Sequence, residues 1–126
     1  MNTIDFIELD LLGQKEGNAT YKFEGLGHST GRILAYREKG NLSGNHWHEG
    51  KSESKNPEEL LLVKGKVRVE WTTDLEGDYT EERLVSAPIL IRIHPMVKHR
   101  LEALEDICFV EFNSIEEHAS DNQYPK

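Results

Sequence analysis

The residues of this chain best suited to chemistry are His46 and His48, separated by Trp47. Residues two apart on a strand project from one face, so both imidazoles point one way and Trp47 the other. Two such imidazoles can grip one metal ion through neutral ring nitrogens. Glu58 opens the run GluGluLeuLeuLeuValLys and shares a strand face with Leu60 and Leu62, while Glu59 shares the other with Leu61 and Val63. Alternation alone leaves open which face is inside. A carboxylate turned inward is costly unless it is paired or metal-bound. His99 lies on the face of Leu101 and Ala103, the setting of a hydrogen-bonded core histidine or of a ligand that has company. Taken singly, each has an ordinary reading: surface histidines, glutamates solvated at a strand start, a core histidine. His94, just before Pro95, reads as a turn or rim residue. Tyr36 and Arg37 read as packing and surface residues able to line a cavity mouth.

These side chains need a frame, and the pattern around them is one of short strands. Strands are expected over 4–12, 21–26, 32–37, 42–48 and 58–63, with polar loops at 13–18 and 49–57. Val67, Val69 and Trp71 alternate with Arg68 and Glu70, the period of a half-buried strand. Strands follow over 79–85, at Ile89, Ile91 and Ile93, at His99, Leu101 and Ala103, and over 107–112. Asp74 to Asp78 and Glu105-Asp106 supply turns. The polar tail 114–126 has room for one helical turn. Nine or ten strands at such spacing predict an all-β sandwich or barrel.

Composition narrows the partners. At 126 residues the chain suits a single domain, 1–126, with a core over about 20–113, an N-terminal edge strand and a polar tail. The formal charge is −8, which disfavours nucleic acid and anionic membranes as partners. The N-terminal stretch lacks a basic region, and no apolar run approaches a membrane span, so a soluble cytoplasmic protein is expected. Cys108 is the single cysteine and sits among apolar residues, so it reads as an inert buried thiol.

The segment GlyAsnLeuSerGlyAsnHisTrpHis, then Glu58, six residues and Gly65, resembles the first motif of the cupin superfamily, with Gly40, His46, His48, Glu58 and Gly65 all fitting. HisProMetValLysHisArgLeuGlu resembles the second motif through Pro95 and His99. Two departures stand out. Nine residues separate His48 from Glu58, where the family has a shorter spacer, and Glu53 thereby becomes a second candidate ligand. Glu58 is preferred because it begins a strand at the right distance from Gly65. Met96 stands where the family has a turn glycine, so the turn must avoid a positive φ or carry strain.

The resemblance implies a double-stranded β-helix, the jelly-roll cupin barrel, with His46, His48, Glu58 and His99 holding a divalent metal (Zn, Mn, Ni, Fe or Cu) inside it. A narrower similarity, through GlyAsnHisTrpHis, ValLysGlyLysValArgValGluTrp and GluPheAsnSer, is to the cupin modules of nucleotide-sugar epimerases and ketoisomerases. It implies proton transfer on a small polar substrate, a sugar or sugar nucleotide, with His46 or His48 as base where no metal binds. No catalytic residue is assigned. A non-catalytic small-ligand sensing module and an iron-dependent dioxygenase are the alternatives. A homodimer built on Ile4, Phe6, Ile7 and Leu9 competes with a role for those residues in covering the barrel.

Overall fold

Alternating β-branched residues form strands because each buries one side chain and exposes the next. Here they assemble two facing antiparallel sheets. The computed structural model describes residues 3–26, 31–113 and 121–126. The strands are β1 (Ile4–Glu8), β2 (Asp10–Lys15), β3 (Asn18–Lys22), β4 (Ile33–Arg37), β5 (Leu42–His46), β6 (Glu58–Lys64), β7 (Lys66–Thr72), β8 (Glu81–Ser86), β9 (Ile89–Ile93), β10 (Lys98–Ala103) and β11 (Ile107–Glu111). One sheet has the order β1-β9-β6-β11-β4, the other β5-β10-β7-β8, and β2-β3 form a separate hairpin. The expected jelly roll is present as these two sheets.

The core lies between them. Val67 and Val69 are fully buried on β7, and they meet Leu60 and Leu62 of β6, Ile89, Ile91 and Ile93 of β9, and Phe109 of β11. Truncating any one of these large aliphatics to alanine costs about 2–5 kcal/mol. Phe6 of β1 stacks at a tilt on Trp71 of β7, with 5.6 Å between ring centroids, and so joins the two sheets. Ile4 and Phe6 are therefore engaged in covering their own core. Leu90 is also fully buried, because the outer face of β9 is covered as well.

Several boundaries differ from expectation. The strand expected over 4–12 breaks at Leu9, and the loop expected over 13–18 is mostly strand, because Gly17 (φ 81) closes a tight turn between β2 and β3. β3 ends at Lys22, short of the expected 26. β5 ends at His46, since Trp47 pairs instead with Gln123 of the tail. The loop 49–57 is less solvated than its composition suggests: Ser54 and Lys55 are buried. Of the tail 114–126, with its expected helical turn, residues 114–120 lie outside the described residues and 121–126 are not helical. Among the described residues no helix is long and apolar enough to cross a membrane.

Candidate functional site

His46 reaches the interior through a β-bulge. Leu101 of β10 pairs with Ser43 and Arg100 with Gly44, but His99 pairs with His46, so Asn45 is the extra residue. Asn45 (φ 60) turns outward to accept the Tyr79 hydroxyl at 2.7 Å, and His46 takes the inward position opposite His99. Gly44 (φ 97) makes this possible, because a Cβ there would sit 2.8 Å from the His99 carbonyl oxygen.

The imidazoles of His46, His48 and His99 meet inside: their ligand nitrogens all lie within 4.8 Å of one another. His48 and His99 are buried, and His46 is partly so. His99 Nδ1 lies 3.0 Å from the Val97 carbonyl, and His48 Nδ1 lies 3.0 Å from the Asp121 carbonyl. A carbonyl only accepts, so each Nδ1 carries the hydrogen and each Nε2 is turned to the cluster. Glu58 Oε1 is 3.3 Å from His48 Nε2, while its Oε2 accepts from Asn113 Nδ2 at 3.4 Å. Glu58 thus joins the cluster through His48. Glu53 is exposed and absent from the cavity wall, which favours Glu58 over it.

Electrostatics follow burial. Desolvation, helped by the neighbouring His99 and His48, lowers His46 to about 3. Burial likewise lowers His99 to about 4, with the Glu58 charge opposing it. Both rings are neutral at neutral pH, the form a metal ligand needs. Burial also acts to lower His48, but the hydrogen bond and charge of Glu58 outweigh it and raise its pKa. Burial acts to raise Glu58, and the bond to His48 reverses that, so it stays ionised.

The cluster opens into a cavity of about 220 Å³ between β4, β5, β6, β10 and β11. Arg37 and Lys55 line it together with Glu111 and the apolar Leu60, Leu101 and Phe109. Tyr36 faces away from it and is 70% exposed. Lys55, only 1% exposed, was passed over in the sequence as part of a polar loop; its Nζ donates to Asn122 at 2.8 Å. Glu59, on the opposite face from Glu58, is buried too, paired with Arg92 at 3.0 Å and accepting from Leu26 N. The reading of both glutamates as solvated is thus overturned. His94 contacts Asp5 of β1 at 2.8 Å and does not line the cavity. Met96 adopts φ 63, the strained alternative, while its N–H donates to the His48 carbonyl at 2.7 Å.

No protein-family model and no curated protein matches the chain. Solved structures do. A 3,4-ketoisomerase from Helicobacter canadensis superposes with a TM-score of 0.70 at 12% identity, covering 94% of this chain and 88% of that one. The fold is the cupin fold. A dTDP-4-dehydrorhamnose 3,5-epimerase from Sulfolobus tokodaii gives 0.63 at 17% identity, covering 86% of this chain and 68% of that one. The capsular polysaccharide assembling protein CapF from Staphylococcus aureus gives 0.60 at 17% identity, covering 94% of this chain. The chain spans only 34% of CapF's length. A cupin fold at such identities places strands, and many chemistries share it.

Proposed function

We propose that His46, His48, His99 and Glu58 hold a divalent metal ion and that the protein is an enzyme acting on a small polar substrate, a sugar or sugar nucleotide, by proton transfer beside a carbonyl. The observation that carries the reading is the meeting of three imidazoles, two of them buried, with Glu58 bonded to His48 beside them, two of the rings held neutral by burial and two oriented through Nδ1. The spacing fits an ion. Bonds of about 2.1 Å put neighbouring ligand atoms about 3.0–3.4 Å apart and opposite ones about 4.2 Å apart. The His48–Glu58 separation is 3.3 Å, and nitrogens up to 4.8 Å apart would close on an ion as neighbouring ligands by up to about 0.7–0.9 Å per ring. Such an ion would supply Lewis-acid polarisation of an oxygen in the substrate.

The chain's own groups supply the rest. Arg37 and Lys55 line the same cavity and give an anionic substituent such as phosphate its partners. Leu60, Leu101 and Phe109 offer an apolar wall that excludes water around a sugar ring.

A second reading rests on the His48–Glu58 pair itself. With Nδ1 on the Asp121 carbonyl, His48 shares a proton with Glu58 through Nε2, and that shared proton is the one a metal-free site could exchange with a substrate. The two readings are separated by elemental analysis of the purified protein, with Zn, Mn, Ni, Fe and Cu titrations, and by incubation with dTDP-4-dehydrorhamnose in D2O. Stoichiometric metal lost in His99→Ala supports the centre. Deuterium uptake at sugar carbon by metal-stripped protein supports the pair. Neither metal binding nor exchange would overturn both. Stoichiometric iron would direct the search to oxygen chemistry.

A further inference from the structure

The sequence treats the end of the chain as a solvated tail, yet residues 121–124 contact His46, Trp47, His48, the backbone of residues 49–52 and Lys55. The Asp121 carboxylate accepts four backbone N–H groups of the inserted loop: Glu49 N at 2.9 Å on Oδ1, and Gly50 N at 2.9 Å, Lys51 N at 2.8 Å and Ser52 N at 3.4 Å on Oδ2. Successive amides turned on one carboxylate make an anion nest, here filled from within the chain. The Asp121 carbonyl meets His48 Nδ1. Asn122 accepts from the buried Lys55, and Trp47 and Gln123 exchange two backbone bonds of 2.9 Å. Tyr124 packs edge-on against His46, with 5.6 Å between ring centroids.

We infer that residues 121–124 are a working part of the centre, with Asp121 as its positioning residue: the carboxylate anchors the segment on the loop, and its carbonyl thereby orients His48. The inference rests on the reading of His48 as a ligand. The nest does the anchoring. Burial opposes ionisation of Asp121, but the backbone N–H donors outweigh it and lower its pKa. His99 is oriented independently, by Val97 two residues away. The protein therefore contains its own control: loss of the anchor must disturb one ring and spare the other.

The test uses the full chain and its variants Asp121→Ala and Asp121→Asn, with Zn2+ alone as the probe. Competition against a chromophoric chelator should show affinity falling about 10–100-fold in Asp121→Ala, the cost of losing an outer partner of a metal ligand. Asp121→Asn, which keeps one acceptor oxygen, should fall between. Side-chain 15N spectra of the metal-free protein should show the His48 Nδ1 hydrogen bond lost in Asp121→Ala while His99 is unchanged. Unaltered His48 signals with unaltered Zn2+ affinity would overturn the inference, as would equal disturbance of both rings, the mark of general loosening. A wild-type protein that binds no Zn2+ would sink the metal reading alone. The His48 spectra would still decide the role of Asp121.

Discussion

An imidazole that is to hold a cation must be free of its proton, and His46 and His99 are kept so chiefly by burial. That has a consequence for the metal-free protein. Unfolded histidines titrate near 6.5, whereas folded His46 and His99 titrate at about 3 and about 4. Between those values the unfolded chain binds more protons, so stability drops as pH falls from about 6.5. Glu58, lowered by His48, adds a loss of the same sign below its ordinary 4.5. His48 is raised and acts oppositely, its contribution fading as pH rises through its folded value. The two depressed rings outweigh it. The urea midpoint should fall steadily between pH 6.5 and pH 4.5, and His46→Asn should flatten the slope; a level midpoint across that range would contradict this account. His99→Ala should also reduce metal affinity by more than the roughly 10–100-fold that an outer partner is worth. Equilibrium dialysis showing wild-type affinity would exclude His99 as a ligand.

At the scale of the element, two turns set where these rings point. The Gly44–Asn45 bulge moves His46 to the inward position, and any side chain at Gly44 meets the His99 carbonyl while adopting a φ of 97. Gly44→Ala should therefore cost at least about 1–2 kcal/mol and weaken metal binding with it. A variant of unchanged stability and affinity would show that the bulge is dispensable. Met96 is the converse. It holds φ 63 with its side chain 37% exposed, so the strain brings little burial in return. Met96→Gly removes an αL penalty of about 1–2 kcal/mol and restores about 0.4–1 kcal/mol of unfolded-chain entropy. Thermal denaturation should show a net gain of up to about 1.6 kcal/mol, and a loss of stability would contradict the strain at Met96. These elements also mark how far the sequence can be read. The HisTrpHis spacing, Glu58 at the strand start and the valine alternation of β7 are local patterns, and they are legible. The bulge depends on the register with β10. Lys55 and Asp121 depend on a loop and a tail that meet only in the folded chain, Lys55 and Asn122 being 67 residues apart. No local period records either.

The whole molecule carries one feature that a single chain does not explain. Every residue of β2 and β3 is exposed, and among the described residues this hairpin pairs only with itself. Two strands alone are marginally stable in water. Leu11, Leu12 and Tyr21 are 51%, 64% and 44% exposed on it, and Leu9, Phe23, Leu61, Val63 and Pro88 form an apolar groove of about 380 Å³ at its base together with Tyr21. A contiguous apolar surface of this kind favours association. The charge of −8 opposes open-ended aggregation, and a closed two-fold pair in which each hairpin covers the other's groove satisfies both constraints. Of the residues considered for an interface, Ile4 and Phe6 pack on the core and Leu9 lines this groove. Light scattering should give twice the 14.5 kDa chain mass. Leu12→Asp combined with Tyr21→Asp should return a 14.5 kDa species whose Zn2+ affinity is unchanged, because the hairpin contributes no residue to the histidine cavity. A wild-type chain that stays monomeric at every concentration tested would leave the hairpin without the partner that its composition calls for.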